Sequence, residues 1–210
     1  NLRYITISRW CEKWLKERFG QDAVYAPNGI DLALFQYAAR DFSNEKIRVL
    51  IEGDSESPYK NIDEAFRIAN RLNREKYEVW YLSYQGRPKP WYRFDKFLHK
   101  VSYDQVADVY RACHILLKTS ILESFSYPPL EMMATGGLVV VRPNDGNLEY
   151  LRDQENCLMY RENDIGHAQE CIELLVSNSK LRETLIENGR ATAHARSWDA
   201  IKDQVLQLYA

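Results

Sequence analysis

Two glutamates lie eight residues apart in the stretch Glu123-Ser-Phe-Ser-Tyr-Pro-Pro-Leu-Glu131. Glu123 falls in a loop that follows the apolar run His114-Ile-Leu-Leu-Lys118, and Glu131 falls in the first turns of the next helix. Pro128 and Pro129 suit that helix's opening turn, where N–H groups have no intrahelical partner. Backbone N–H groups from Ser124 to Tyr127 are then left to bind an anion or hydroxyl groups, assisted by the helix dipole. A carboxylate in such a crevice accepts the vicinal hydroxyls of a ribose. Spacing alone does not separate this pair from two solvated glutamates. Its setting does, because one segment holds the strand, the loop, the Pro-started helix, Gly136-Gly137 and the buried strand Leu138-Val-Val-Val-Arg142.

The elements that must position these groups alternate between strand-like and helix-like patterns, the mark of parallel βαβ units. Arg48-Val-Leu-Ile-Glu52 reads as a buried strand ended by Gly53. Asn61 with Glu64 reads as a capping box for a helix that buries Ile62, Ala65, Phe66, Ala69 and Leu72. Tyr77–Tyr84 is a second strand and 85–90 a Gly/Pro loop. A short strand ends near Val101, and Ser102 with Gln105 caps a helix burying Val106, Val109 and Tyr110. Three helical stripes follow: Ile165 to Leu175, Leu181 to Ile186, and Trp198 to Leu208, the last capped by Ser197. The fold class is α/β, a Rossmann-like doubly wound parallel sheet with C-terminal helices. Such sheets bind ligands at the carboxyl ends of their strands, here the loops after Glu52, Tyr84, Val101 and Lys118.

The chain has 210 residues, 45% hydrophobic and 28% charged, with a formal charge of −2, so no basic footprint for nucleic acid is present. Cys11, Cys113, Cys157 and Cys171 lack metal-ligand spacing and read as reduced thiols of a cytoplasmic chain. His99, His114, His167 and His194 are dispersed, so no metal site is expected. No P-loop motif and no Gly-x-Gly-x-x-Gly after a strand occurs. No signal peptide or membrane-spanning run is seen. Asn1 in place of Met, followed at once by a strand-like run, reads as a piece of a longer protein. The aromatic group Trp80, Tyr81, Tyr84, Trp91, Tyr92 and Phe94 reads as core and rim packing.

Thr119 to Val141 resembles the Glu-x7-Glu segment, glycine and buried strand of the retaining group-1 (family 4) glycosyltransferases, which have the two-domain GT-B architecture. Asp145-Gly-Asn-Leu-Glu149 is similar to that family's Gly-Gly-x-x-Glu loop, Glu155–Tyr160 to its hairpin-like strand, and Pro27–Asp31 with Phe35 to its interdomain linker. Gly189-Arg190 and Ser197-Trp198 match its C-terminal helices. The resemblance implies that this chain is the C-terminal half, which binds a nucleoside diphosphate sugar. Residues 1–40 would be the end of the N-terminal domain and the linker, 41–195 the nucleotide-sugar-binding domain and 196–210 a C-terminal helix. It implies Glu131 on the ribose, Glu123 on the sugar, and the amides of Ser124, Phe125 and Ser126 against sugar and phosphate. Val101 and Tyr103 would face the base, Gly53 at the end of the first strand would be among the donor-binding residues, and Lys60 would face the diphosphate. Glu123 and Lys60 would be the catalytic pair. Transfer would proceed with retention, without a cofactor or essential metal, onto a glycan or lipid-linked glycan held by the missing half. That half would also supply any peripheral membrane association. Bacterial surface polysaccharide or glycoconjugate synthesis is the implied setting, and the isolated piece is expected to be inactive.

Departures mark a divergent subgroup. Asp54 stands where the family has an arginine, Ser124 and Ser126 replace glycines, and Leu138 and Leu148 replace prolines, which implies a narrower sugar pocket. Asp54 also leaves open a binding module without catalysis. A structural or interaction domain with solvated glutamates is the third reading.

Overall fold

The computed structural model describes residues 4–43 and 46–208. The first residues form a small unit: β1 (Tyr4–Thr6), α1 (Arg9–Phe19) and β2 (Ala23–Tyr25), with β1 and β2 parallel. The linker that follows buries Ile30 and Phe35. Ile30 also exchanges backbone hydrogen bonds with the end of the chain, from Ile30 N to Arg196 O at 2.9 Å and from Trp198 N to Ile30 O at 3.1 Å.

The main sheet contains β3 (Ile47–Glu52), β4 (Tyr77–Ser83), β5 (Lys96–His99), β6 (Ile115–Lys118), β7 (Leu138–Val141) and β8 (Leu158–Met159). Its order is β5-β4-β3-β6-β7-β8 and every pair is parallel. This is the doubly wound order expected from the alternating pattern, with the direction of winding reversed between β3 and β6. The helices are α2 (Ile62–Ala69), α3 (Tyr103–Ala112), α4 (Tyr127–Ala134), α5 (Ile165–Ser177), α6 (Ser179–Ala195) and α7 (Trp198–Leu206).

Successive side chains of a strand point to opposite faces, and here both faces are buried. Val49, Ile51, Val79, Tyr81, Ile115 and Leu117 pack on one side with Phe66 of α2 and Ile172 of α5. Leu50, Leu82, Leu116 and Val139 pack on the other with Tyr110 of α3, Met132 of α4 and Ala193 of α6. Each fully buried large apolar side chain contributes roughly 1.5–3 kcal/mol, which fixes the register at which the strand ends, and hence the polar residues there, come side by side. Most of the aromatic group packs as expected: Tyr92 stacks on Phe66 with ring centroids 3.9 Å apart, and Tyr81 lies edge-on to the same ring at 5.2 Å.

Two local expectations are corrected and a third is met. α2 starts at Ile62, but Asn61 and Glu64 form no capping box. Asn61 adopts φ 51°, and its side-chain amide donates to Glu64 Oε2 at 2.9 Å. Glu64 is instead drawn into the interior by the Tyr160 hydroxyl (2.6 Å) and Arg142 (3.3 Å). The segment 155–160 is not hairpin-like. Its strand β8 runs parallel to β7 and extends the sheet edge, with Val140 opposite Leu158. Gln105 does reach back to cap α3, accepting from Ser102 N at 3.4 Å and Ser102 Oγ at 3.0 Å.

Candidate functional site

β3 ends in Glu52 and β6 ends in Lys118, neighbours across the point where the winding reverses, as the register Ile51 to Leu117 requires. Above them opens a cleft of about 250 Å³. Glu52, Ser83, Tyr84 and Glu131 supply its polar lining; Val101, Tyr103, Val106, Tyr110, Tyr127 and Pro128 supply most of the rest. The cleft thus combines aromatic and aliphatic walls with two carboxylates, a lining suited to an aromatic base and to hydroxyl groups. Tyr103 is 60% exposed and backed edge-on by Phe35 at 5.8 Å, so its ring stands free to face a ligand.

Glu131 sits on α4 with 7% of its surface exposed. Burial is the main cause that lifts its pKa to about 7. The Glu52 carboxylate raises it further, while the Tyr110 hydroxyl and the Lys118 ammonium act in the opposite sense. The hydroxyl of Tyr110 is a hydrogen-bonding partner of this carboxyl. Val101, Tyr103 and Glu131, predicted as ligand-facing, are thus brought to one cleft.

Glu123 lies next to that cleft, not in its lining. Lys60 Nζ donates to both its oxygens, at 2.8 and 3.0 Å, and Lys118 Nζ lies 3.4 Å from Oε1. Lys118 in turn donates to Glu52 Oε2. A chain of alternating charge, Lys60, Glu123, Lys118, Glu52, therefore runs from the rim to the cleft. Burial alone would raise the pKa of Glu123, but Lys118 and Lys60 outweigh it and hold the carboxyl below its usual range. Lys118 has no exposed surface, and burial disfavours its charge, yet Glu52 and Glu123 keep its ammonium above the ordinary value. The turn carrying Lys60 is held to the β6 loop: Thr119 Oγ1 donates to Asn61 O at 2.9 Å, and Ile121 N to Tyr59 O at 2.8 Å. Gly53 lies beneath it, where a Cβ would come within 3.2 Å of Lys60 Cβ.

Among the described residues, the N–H groups of Ser124, Phe125 and Ser126 donate to no chain acceptor. Their carbonyls are engaged: Trp10 Nε1 donates to Ser124 O at 3.0 Å, and the Tyr150 hydroxyl donates to Ser126 O. The Phe125 side chain is buried against Tyr127 and Tyr150, so only its backbone can serve a ligand. Ser126 takes φ 74°, the region glycine occupies more readily, and its Oγ is buried with no partner. Gly146 packs so closely on this loop that a Cβ would lie 2.1 Å from Glu123 O. Glu149, three residues on, accepts from Arg9 N at 3.0 Å and so caps α1.

Asp54 does not face the ligand cleft. Its Oδ1 accepts from Ser83 Oγ at 2.7 Å and from the amides of Tyr84, Gln85 and Gly86 at 3.0, 2.7 and 3.1 Å. Partial burial works against its charge, but these bonds outweigh it and hold the carboxyl below the usual range. The position of the expected arginine is thus occupied by a group that folds the loop after β4. Sequence reading missed Glu52, Lys118 and Tyr110 as site residues. A polar residue closing each of two apolar strand runs was the signal for the first two.

Residues 96–192 match the model of one family, described as glycosyl transferases group 1. The matched segment, from β5 into α6, resembles that family. The chain is 25% identical over 220 residues to the phosphatidyl-myo-inositol mannosyltransferase of Mycobacterium tuberculosis, covering 98% of this chain and 58% of that protein. It is 32% identical over 114 residues to an uncharacterized glycosyltransferase of Methanocaldococcus jannaschii, covering 54% of this chain and 32% of that one. The chain therefore spans between a third and three fifths of these relatives. Its fold is shared with Anabaena HepE, solved in complex with UDP-glucose, at a TM-score of 0.84 and 17% identity over 99% of this chain and 63% of that one. No helix among the described residues is long and apolar enough to cross a membrane.

Proposed function

We propose that this chain is the donor-binding part of a glycosyltransferase that moves a sugar from a nucleoside diphosphate sugar to an acceptor with retention. The observation that carries the reading is the buried carboxyl of Glu131 in the switch-point cleft, beside a loop whose amides are free to donate. The base lies along Val101 and Tyr103, and the ribose hydroxyls bond Glu131. The sugar meets Glu123 and the amides of Ser124, Phe125 and Ser126. The diphosphate lies between Lys60 and the start of α4. As the bond between the anomeric carbon and the diphosphate oxygen breaks, negative charge grows on the diphosphate. Lys60 and the helix dipole are aimed at that charge, and the acceptor oxygen bonds to the same face of the carbon. UDP-glucose in the HepE complex supports a nucleoside diphosphate hexose as donor class. The name of the mycobacterial relative supports a lipid-linked acceptor and glycoconjugate synthesis. The mycobacterial relative is longer than this chain, which supports an acceptor site outside the donor-binding part and little sugar transfer by these 210 residues alone.

Asp54 in the arginine position favours a second reading, a binding module without catalysis. Calorimetric titration with UDP, GDP and ADP tests the site. Saturable binding of one of them, abolished by Glu131→Ala and kept by Glu187→Ala on the surface of α6, is expected. Failure of every nucleotide to bind would leave the interaction-domain reading. Sugar transfer by a full-length protein carrying this domain separates enzyme from binding module.

A further inference from the structure

We propose that Lys118 is a positioning residue for donor binding: it holds Glu123 from the buried side and so frees Lys60 to leave that carboxylate for the diphosphate. The inference rests on the donor-site reading above and adds the residue that lets the site exchange partners. Two cations meet Glu123, and they differ in reach. Lys60 is 30% exposed and Lys118 not at all, so an arriving ligand can touch only Lys60. Lys60 Nζ bonds both oxygens of Glu123, so a diphosphate must compete with this carboxylate for the same ammonium.

Glu123 is 11% exposed at its side chain. Stripped of its only cation, a carboxylate buried to this degree is strongly disfavoured, and Lys60 would stay where it is. Lys118 changes that balance. It lies 3.4 Å from Oε1, an oxygen that Lys60 also bonds, and it is anchored by the Glu52 carboxylate at the end of the neighbouring strand. With both lysines present, Glu52 and Glu123 are matched charge for charge. When Lys60 moves to the diphosphate, the buried remainder carries one net negative charge; without Lys118 it would carry two. Glu131 faces the same cluster from α4 and Tyr110 from α3, so a second uncompensated charge would also be felt at the ribose end.

A lysine that merely filled the space below Glu52 would matter equally for every ligand of the cleft. The positioning role predicts a selective loss instead. The test uses the nucleoside diphosphate that the wild-type chain binds best and the matching nucleoside, both titrated at pH 8 by NMR. The variants are Lys118→Met and Glu52→Gln/Lys118→Met; the second removes the buried pair together and leaves no unpaired charge at Glu52. Expected in both variants is an about tenfold or larger rise in Kd for the diphosphate, exceeding any change in the nucleoside's Kd by at least about threefold. Lys60→Met, which weakens diphosphate binding in the wild-type background, is expected to weaken it little further in the Lys118→Met background, because Lys60 is already held by Glu123. Equal losses for both ligands, no loss for either, or full additivity of the two lysine substitutions would overturn the inference and leave the donor site intact. No diphosphate binding by the wild-type chain would overturn the donor site, and the inference with it.

Discussion

Glu131→Gln should make the protein more stable, and the gain should appear only as pH rises. In the unfolded chain this carboxyl titrates at about 4.5, and in the folded chain at about 7, because burial and the Glu52 carboxylate disfavour its charge. A group whose folded value is raised binds its proton more tightly when folded, so its stabilising contribution is complete below about 4.5 and is lost as pH climbs through 7. An interval of about 2.5 pH at roughly 1.4 kcal/mol for each gives a loss of about 3.5 kcal/mol when the titration is complete. Glutamine keeps the shape and can still accept from Tyr110, but it carries no charge at any pH. Urea unfolding of both proteins at pH 5, 6, 7 and 8 reads the difference. The advantage of the glutamine variant should grow by about 2.5 kcal/mol between pH 5 and pH 8, equivalent to about 1 M in urea midpoint for a slope of roughly 2–3 kcal/mol/M. Asp54 and Glu123 do not confuse this window. Their folded values are lowered, so their contributions are lost only as pH falls below the usual carboxylate range. A difference that stays constant across the series, or that shrinks toward pH 8, would refute the account of Glu131.

Two further substitutions test how the site is held. Gly146→Ala places a Cβ 2.1 Å from Glu123 O and must push the donor loop away; a loss of about 1–3 kcal/mol in urea unfolding, together with weakened nucleoside diphosphate binding, is expected. Asp54→Arg restores the residue type of the family at that position but removes the acceptor for Ser83 and three loop amides. It should lower stability by about 2 kcal/mol and speed hydrogen exchange at Tyr84 to Gly86, with no gain in diphosphate affinity.

The parallel sheet was legible because buried strands read as short apolar runs and the helices between them keep their own period. The helix that carries Glu131 was legible for a local reason: Pro128 and Pro129 fit only its first turn. What could not be read was any pairing between loops distant in sequence. Glu52 and Lys118 are 66 residues apart and meet only because β3 and β6 are neighbours at the winding reversal. Asp54 read as a lost cation, whereas its partners lie 29 to 32 residues on. The Asn61 and Glu64 box failed for the same reason, since Tyr160 and Arg142 claim Glu64 from the far side of the fold. Phe125 was correctly placed in the loop, but the direction of its side chain depends on Tyr150, which the local sequence does not reveal.

These pairings bear on how a site with an acid at the arginine position can still attract a diphosphate. The described cluster holds three carboxylates, Glu52, Glu123 and Glu131, against two ammonium groups, Lys60 and Lys118. Its charge is near balance when Glu131 keeps its proton and becomes negative by one when Glu131 ionises, a change centred at about 7. Ionised Glu131 is the better acceptor for ribose hydroxyls, yet it adds repulsion toward the phosphates. The two ends of one ligand therefore favour opposite states of the same carboxyl. Nucleoside affinity should rise with pH through this range, and the extra affinity gained from the diphosphate should fall. A direct arginine contact would offset that repulsion at the phosphate itself; in the proposed donor site the compensation would come from beneath, through the fully buried Lys118.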